Sequence, residues 1–388
     1  MKKLIIIVLF AVSTVIGSLL FSTIRETDAV NFQIFDLAQY DPELRGFHGT
    51  IYDDGFVYFT PDHNGEPFGK FVRYDTNKPF DNFDSWQVFD SGSISEDAGY
   101  LGGGTDGKFL YFPSYNTDII LRYDTMKDFQ DDGSWEKHHI GMKFWGESSY
   151  DGNYVYFLPE HHTMITRFNV TGDFTSEESW ESCDLKKISE SADFMASAFD
   201  GKFLYLPSSE GRFILKYDAE KQFCDVESWE KFDVTEMEAK KGYFDAKFNG
   251  HHVYFSPHRN DGTSHGTILR YDTTGNFTDL NSWTSFNPSH HGMNGAKGYG
   301  TMTFVNDHIF FSPLVNWRGY HSNILSYDTN SDFSDIGSWS LIKTASYDDE
   351  LRGYPTSASD GYHVYFSPYH NNLEKHGKIL KIPAFTEK

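Results

Sequence analysis

The sequence predicts an all-β fold built from seven copies of one four-stranded unit. The first observation is an Asp-Gly or Asn-Gly type of turn followed by an apolar, aromatic run, which occurs seven times. The second is a strand-like run after each copy, most often Ile-Leu-Arg-Tyr-Asp-Thr or a close variant. The third is a Phe, four residues and a Ser-Trp pair in six of the seven copies. Units that repeat in this way pack against their neighbours, so we expect a ring of like sheets.

Each copy reads as four short antiparallel strands. The turns between the first and second strands begin at Asp54, Asp106, Asp151, Asp200, Asn249, Asn306 and Asp360. Asp-Gly is a preferred two-residue hairpin connection because both of its positions accept positive φ angles. Small residues such as those at 102–105 precede the turn and suit an innermost strand, whereas the Trp suits the outer strand, where the gap between sheets widens. Four strands repeated radially form the blade of a β-propeller.

The two ends of the chain complement each other. The seventh copy stops after "ILKIPA" at 379–384 and has no Ser-Trp strand, while "NFQIFD" at 31–36 aligns with "SWQVFD" at 85–90. We therefore predict that the N-terminal strand completes the last blade and closes the ring, which removes the exposed sheet edges of an open ring. The expected structure is one seven-bladed β-propeller over residues 30–388.

Residues 1–29 read as a targeting segment. Lys2 and Lys3 precede an apolar run at 4–21, and Thr27-Asp28-Ala29 offers small residues near a cleavage point. A signal peptide and an uncleaved N-terminal membrane anchor are both open, because a run of this length is near the lower limit for crossing a bilayer. Either interpretation predicts an exported body that is secreted, periplasmic or at the cell surface, in the last case anchored by residues 4–21.

Composition excludes several functions. A formal net charge of −23 argues against nucleic-acid binding, and we expect membrane contact only through the N-terminal segment if it is retained. No cofactor is expected, although acidic 3–4 loops leave a structural Ca²⁺ or another divalent metal open. Cys183 and Cys224 could form one disulfide or remain free thiols. We expect a monomer, since every blade edge is covered by its neighbour.

The repeats resemble, in general layout, the exported bacterial and archaeal β-propellers of the YVTN, NHL and kelch kind. The resemblance covers residues 31–388 and is one of architecture, because the kelch double glycine and the WD dipeptide are absent. The stretch "FQDDGSWE" at 129–136 is similar to a sialidase Asp-box, a structural turn between the third and fourth strands. The resemblance therefore implies the fold and no activity.

Candidate binding residues lie in the 2–3 and 4–1 loops, which share the face around the mouth of the central channel. The 2–3 loops open with Pro-x-x-Asn in five blades, and five 4–1 loops end in a Gly-aromatic pair. The candidates are Arg45, Phe47, His63, Asn64, Tyr100, Tyr115, His162, Tyr243, His258, Arg259, Tyr299, Trp317, Arg318, Arg352, Tyr354 and His370. Aromatic platforms beside amide and guanidinium donors suit sugar rings. We predict a non-catalytic binding propeller for a glycan or an extracellular protein; packing roles for the Gly-aromatic pairs and Asx turns at the Pro-x-x-Asn loops are the structural alternative.

An enzyme is the second hypothesis: a metal-dependent lyase or hydrolase acting on a polysaccharide or a lactone. Its candidate ligands are His63, His161, His162, His258, His290, His291, His321, His370, Glu147, Glu160 and Asp245. Imidazole and carboxylate groups are suitable donors for Zn²⁺ or Mn²⁺. Adjacent histidines on a strand point to opposite sides, however, so the non-catalytic role is favoured. A propeller that acts as a rigid structural disc on the cell surface is the third hypothesis.

Overall fold

A computed structural model describes residues 32–384 except 96–98, 145, 160–161, 190–192, 238–240, 261 and 317. The predicted targeting segment at 1–29 lies outside the described residues. Within the described part of the chain, no helix has both the length and the apolar character needed to cross a membrane. Seven four-stranded antiparallel sheets follow one another in a ring, which confirms the predicted seven-bladed β-propeller.

Blades 1 to 4 each use four consecutive strands, ordered from the channel outwards. Blade 1 contains β2 (Phe47–Asp53), β3 (Phe56–Pro61), β4 (Lys70–Asp75) and β5 (Trp86–Asp90). Blade 2 contains β6 (Gly104–Thr105), β7 (Phe109–Pro113), β8 (Ile119–Asp124) and β9 (Trp135–His139). Blade 3 contains β10 (Ser148–Tyr150), β11 (Tyr154–Phe157), β12 (Met164–Asn169) and β13 (Trp180–Asp184). Blade 4 contains β14 (Ala198–Phe199), β15 (Phe203–Pro207), β16 (Phe213–Asp218) and β17 (Trp229–Asp233).

Blades 5 and 6 add a small two-stranded ribbon to the same plan. Blade 5 contains β18 (Tyr243–Phe248), β19 (His252–Pro257), β22 (Ile268–Asp272) and β23 (Trp283–Phe286), with the ribbon β20 (Arg259–Asn260) and β21 (Thr263–Ser264) in its 2–3 loop. Blade 6 contains β24 (Tyr299–Val305), β25 (His308–Pro313), β28 (Asn323–Asp328) and β29 (Trp339–Lys343), with the ribbon β26 (Val315–Asn316) and β27 (Gly319–Tyr320). The sequence did not predict these ribbons, which enlarge the mouth face on one side of the ring.

Blade 7 is shared by the two ends of the chain. It contains β30 (Ser357–Ser359), β31 (His363–Phe366), β32 (Lys378–Pro383) and the N-terminal β1 (Gln33–Asp36). Gln33 pairs with Lys381 and Asp36 with Lys378 in an antiparallel register. Phe35 is buried and stacks on Trp86 of blade 1, with 4.5 Å between ring centroids. The predicted closure is therefore confirmed.

The repeated aromatic residues form the core between blades. In six blades the Trp indole donates to the carbonyl of the Phe six residues earlier, at 2.8–3.2 Å. In five blades the Tyr of the third strand donates its hydroxyl to a carbonyl four residues later, at 2.6–3.0 Å. Burying a large ring while its polar atom keeps a partner explains why these positions repeat.

Short 3₁₀ helices occupy the 3–4 and 4–1 connections. They are Leu37–Gln39, Phe83–Ser85, Ser91–Ser93, Asp132–Ser134, Glu177–Ser179, Leu185–Lys187, Val226–Ser228, Val234–Met237, Leu280–Ser282, Pro288–His291, Ile336–Ser338 and Thr344–Ser346. Most begin at an Asp or Asn side chain that accepts a backbone N–H two residues later, such as Asp335 accepting from Gly337 at 3.0 Å. This capping places the following Ser-Trp at the start of the outer strand.

The hairpin turns differ in part from the prediction. Both central residues have positive φ angles at Asp54 and Gly55, at 38° and 86°. In the other Asp-Gly and Asn-Gly turns only the Gly has a positive φ. The Asp side chain there accepts backbone N–H groups two and three residues later, as Asp106 does from Lys108 and Phe109 at 2.9 and 2.7 Å. An Asx turn therefore replaces the expected two-residue turn in these blades.

Candidate functional site

In four blades the residue after the loop aromatic, namely His48, Leu101, Met195 or Phe244, lines the mouth of the central channel. At this position stand His48, Leu101, Met195, Phe244, Gly300 and Pro355 in the six blades where it is described. Leu101, Met195 and Phe244 pack with Leu314 from the 2–3 loop of blade 6 into one buried cluster. Because these four residues come from four blades, they form an apolar floor across the channel mouth.

A cavity of about 600 Å³ lies on this floor. The remaining lining residues are His48, Asp62, His63, Tyr115, His258, Arg259, Val315, Tyr320, Tyr369, His370 and Lys375. The 2–3 loops of blades 1, 2, 5, 6 and 7 supply all of these except His48, since such loops surround the channel on this face. The cavity is consequently apolar below and polar along its walls, which is the usual composition of a small-ligand site.

A buried carboxylate occupies one wall of the cavity. Asp62 is only 3% exposed, and the Tyr115 hydroxyl donates to its main-chain carbonyl at 3.4 Å. Burial raises the pKa of Asp62, while the Lys375 ammonium and the hydroxyls of Tyr115 and Tyr369 act in the opposite direction. The Lys375 ammonium lies over the Tyr369 ring, 3.1 Å from its centroid. Burial lowers the pKa of Lys375 to about 8, against the attraction of Asp62.

Two buried histidines support the walls in their neutral form. Burial, with the charge of Lys375, lowers the pKa of His48 to about 3. Burial and the neighbouring Arg259 likewise lower the pKa of His258 to about 3. The His258 Nδ1 lies 3.1 Å from the Tyr299 carbonyl, so this nitrogen carries the proton and donates. The interior side of the cavity therefore carries no imidazolium charge at neutral pH.

His63 and His370 occupy equivalent loop positions in blades 1 and 7 and have the same local geometry. The Nδ1 of His63 accepts the Gly65 N–H at 3.1 Å, and the Nδ1 of His370 accepts the Asn372 N–H at 3.0 Å. A neutral imidazole that accepts at Nδ1 carries its proton on Nε2. Both side chains consequently provide an N–H donor at the cavity.

A charged cluster lies deeper in the channel. The Lys247 ammonium is 3.1 Å from the Asp245 carboxylate and 3.8 Å from that of Glu147. Asp245 also accepts the Met302 N–H at 2.7 Å. Burial raises the pKa of Glu147 to about 7. The positive charge of Lys247 opposes this increase, and the negative charge of Asp245 adds to it. Because Lys247 already occupies the space between the carboxylates, this cluster is a closed internal ion network.

The structure brings some of the predicted binding residues together. His63, Tyr115, His258, Arg259 and His370 line the mouth cavity. Arg318 and Arg352 line a second cavity of about 380 Å³ between blades 6 and 7. Trp317 lies outside the described residues. Whether any of them binds a ligand remains a prediction.

Other predicted residues have packing or loop roles instead. Phe47, Tyr100, Tyr243, Tyr299 and Tyr354 are at most 1% exposed, so the expectation that these rings offer a stacking surface is corrected. Their side chains fill the space between neighbouring blades because the preceding Gly turns the chain inwards, with φ between 66° and 87° at each of the five Gly residues.

The polar candidates away from the cavity are engaged locally. Arg45 pairs with Glu374 at 3.2 Å, and Asn64 donates to the Glu43 carbonyl at 3.0 Å. His162 lies 2.5 Å from the Lys143 carbonyl. The Asx turns expected at the Pro-x-x-Asn loops are present at Asn316 and Asn371.

His321, one of the metal-ligand candidates, belongs to a repeated structural contact. Its Nε2 lies 2.9 Å from the Gly298 carbonyl, and the equivalent atoms of His265 and His376 contact Gly242 and Arg352 carbonyls at 2.7 and 2.9 Å. Each contact ties a 2–3 loop to the adjacent 4–1 loop.

Sequence reasoning missed much of the cavity. Asp62, Tyr369 and Lys375 were not singled out, and neither were the floor residues Leu101 and Phe244. A usable signal existed for the floor, since the position after the loop aromatic differs in every described blade while its neighbours repeat. The polar residues had no comparable signal, because each occurs once.

Metal-ligating groups do not converge at the mouth among the described residues. The single described group of three whose ligand atoms lie within 4.8 Å of one another is His251, His252 and Asp272 in blade 5. It lies on the opposite face, where the 1–2 turn and the start of β19 meet the end of β22. His251 lies in the turn before β19, which is how it and His252 come together although they are adjacent in sequence.

The two cysteines are both free thiols in this structure. The Cys224 Sγ lies 3.5 Å from the Ser182 carbonyl, beside Cys183.

The fold and the site together define a seven-bladed β-propeller with a floored cavity at its channel mouth. The chain aligns over 92% of its length with all of virginiamycin B lyase from Staphylococcus aureus, with a TM-score of 0.62 and 14% identity. A streptogramin B lyase structure aligns over 90% of this chain and 96% of its own, with a TM-score of 0.60 and 15% identity. The extracellular domain of a hybrid two-component system from B. thetaiotaomicron aligns over 90% of this chain and 42% of its own, with a TM-score of 0.60 and 10% identity.

At these identities the likeness shows the fold alone. No protein-family model matches the chain, and no curated protein matches it in sequence.

Proposed function

We propose that the protein is an exported, non-catalytic binding propeller that recognises a glycan in the mouth cavity. The observation that carries the proposal is the convergence of three tyrosines and several hydrogen-bonding side chains on one concave site of about 600 Å³. Sites for small ligands have volumes of about 300–1,000 Å³. A cavity of this size suits one or two sugar units at the end of a chain.

The lining residues match the surface of a sugar. Tyr115, Tyr320 and Tyr369 supply ring faces on which the C–H face of a sugar can stack. His63 and His370 supply N–H donors, and Asp62 supplies a buried carboxylate as an acceptor. A protein partner would need about 800 Å² of contact on each side. A concave site of about 600 Å³ is smaller than such an interface and therefore favours a glycan over a protein surface.

A glycan array followed by calorimetry tests the proposal. Tyr320→Ala should weaken binding of the best array ligand roughly tenfold or more, the usual consequence of losing an aromatic anchor. Tyr362→Ala is the matched control, because Tyr362 is 76% exposed on the opposite face. An array without a bound glycan, or equal losses in the two variants, would count against the proposal, and binding to an extracellular protein alone would favour the other partner class.

An enzyme acting at the same cavity is the second candidate, a lyase or hydrolase for a polysaccharide or lactone. It is favoured by the pairing of Asp62, whose pKa is raised, with Lys375, whose pKa is lowered to about 8. Groups shifted towards neutral pH inside a cavity are suited to proton transfer. Two of the structural neighbours are named as lyases, although the likeness to them is one of fold.

Product analysis separates the two candidates. The bound glycan is incubated with the protein, with and without Mg²⁺, Mn²⁺ or Zn²⁺, and new reducing ends and new C=C absorbance are measured. Turnover that disappears in Lys375→Met would support the enzyme. Tight binding without any product supports the binding propeller.

A further inference from the structure

We infer that the ligand of the mouth cavity is an anionic sugar, one that carries a carboxylate as a uronic acid does. The inference rests on the proposed glycan-binding function and specifies its ligand class. It depends on the charge of the cavity wall, which is opposite to that of the whole chain. The chain has a formal net charge of −23, yet two cations and one carboxylate line the cavity.

Lys375 is the first of these cations. No carboxylate of the described residues lies within 4.0 Å of its ammonium, whereas Lys70 and Lys378 each contact two carboxylates at that distance. Its stem packs against Gly46 and its ammonium against the Tyr369 ring. A cation that has lost part of its hydration without gaining a close counter-ion is stabilised by an anionic ligand.

Arg259 is the second cation, supplied by the 2–3 loop of blade 5. Arg259 lines the same cavity as His258 and Tyr320, and its charge contributes to the lowered pKa of His258. No described carboxylate lies within 4.0 Å of its guanidinium, in contrast to Arg45 and Arg352, which pair with Glu374 and Asp349. A guanidinium binds a carboxylate through two parallel hydrogen bonds, so a free one is a specific receptor for that group.

Asp62 does not cancel this charge. Even when it is ionised, one carboxylate faces two cations in the cavity lining. The lining histidines His48 and His258 have pKa values near 3 and add no charge at neutral pH. A neutral sugar would fill the cavity but leave its excess positive charge without a partner.

Calorimetry on the purified protein with three probes tests the inference: a galacturonic acid disaccharide, the galactose disaccharide with the same linkage, and acetate. We expect the acidic disaccharide to bind at least tenfold more tightly than the neutral one, with an affinity that falls as salt is raised. Lys375→Met and Arg259→Met should each remove most of this preference. Lys297→Met, in a 4–1 loop of the same face and outside the cavity lining, should retain it.

The outcomes distinguish a failure of the anionic ligand class from a failure of glycan binding itself. Equal or stronger binding of the neutral disaccharide would overturn the anionic ligand and leave glycan binding intact. No binding of either disaccharide, together with a silent glycan array, would overturn both. If acetate binds as tightly as the acidic disaccharide, the cavity binds a carboxylate without recognising the sugar. That result would also overturn the inference. Should a methionine variant lose its circular dichroism spectrum, Lys375→Gln and Arg259→Gln replace it.

Discussion

At the outer edge of the ring, blades 1 to 6 carry the same Trp and Phe in the same contact, with the indole nitrogen bonded to the Phe carbonyl. At the position after the loop aromatic, which lines the channel mouth in four blades, the six described residues are His, Leu, Met, Phe, Gly and Pro. The Trp begins the outer strand of each of these blades, and the second position lies in or just before the innermost strand. The first is the same in six blades, with Phe32 at the Trp position of blade 7, and the second differs in every described blade.

This difference separates what packing requires from what a ligand requires. Every blade must fill a similar wedge-shaped gap against its neighbour, and so the same large aromatic residue is used in six of the seven blades. The channel mouth exists once per molecule, and residues from several blades must combine into a single asymmetric site. In a repeat protein, positions that depart from the repeat on one face are therefore the best indication of function.

The largest expected effect comes from the uniform region. Trp339 is 1% exposed and contacts Tyr327 and Phe286 of the adjoining strands, with ring centroids 4.5 and 5.6 Å away. Trp339→Ala should lower the free energy of unfolding by about 3–5 kcal/mol, measured by urea denaturation, because it leaves a cavity between blades 5 and 6. Glycan affinity, measured at a temperature where the variant is folded, should not change.

Met126→Ala is the control for this prediction, since Met126 is 79% exposed in a 3–4 turn. It should change the free energy of unfolding by about 0.5 kcal/mol at most. Two results would contradict the view that the outer core determines stability and the channel mouth determines binding. One is a Trp339→Ala protein as stable as the parent, and the other is a folded Trp339→Ala protein that no longer binds its ligand.

The sequence was sufficient to predict the ring but not the binding site, because the ring is encoded by repeated motifs and the site is not. Seven Asp-Gly type turns and six Ser-Trp pairs each report a local hairpin or outer strand, and repetition multiplies the signal. The pairing of β1 with β32 was predictable because the last repeat lacks its fourth strand and the N-terminus supplies one. The cavity depends on which loops meet above the channel, and no periodic pattern encodes that meeting.

The misassigned residues show the physical limit. Tyr243 and Tyr299 were named as binding candidates of loops at the channel mouth, with a packing role as the alternative, and the preceding Gly turns each ring into the boundary between blades. Asp62 follows directly after the second strand of blade 1 and looked like an ordinary loop carboxylate. Its importance appears only when blades 2 and 7 place Tyr115 and Tyr369 against it.

A second prediction concerns acid and the mouth region. The pKa of His258 lies near 3 in the folded protein, below the ordinary value of 6.5, because of burial and the charges of Arg259, His265 and His48. The unfolded chain therefore binds a proton that the folded chain does not. The contribution of neutral His258 to the free energy of unfolding is complete above pH 6.5 and is lost as the pH falls towards 3.

Urea denaturation at several pH values measures this effect. His258→Gln should reduce the loss of unfolding free energy between pH 6.5 and 4.5 by about 2 kcal/mol relative to the parent protein. At pH 8 both proteins carry a neutral side chain, so their pH slopes should coincide there. Identical acid slopes in the two proteins would show that this mouth residue is not held neutral by its surroundings.

The smallest expected effect tests how uniform the outer region is. The Tyr217 hydroxyl donates to the Lys221 carbonyl at 3.0 Å and accepts from the Arg167 guanidinium of blade 3 at 3.2 Å. Its counterpart Tyr271 makes only the first kind of bond among the described residues, to the Gly275 carbonyl at 2.8 Å. Tyr217→Phe should therefore cost about 1.5 kcal/mol of unfolding free energy and Tyr271→Phe about 1 kcal/mol.

The comparison of these two variants, each a loss of one oxygen at the same blade position, isolates the contact between blades 3 and 4. Urea denaturation under identical conditions gives both values, and Arg167→Met should remove the difference between them. If the two Phe variants cost the same, the guanidinium contributes nothing beyond the repeated bond. The Tyr hydroxyl would then contribute the same free energy of unfolding in blades 4 and 5. The departures from the repeat that affect function would in that case be confined to the channel mouth.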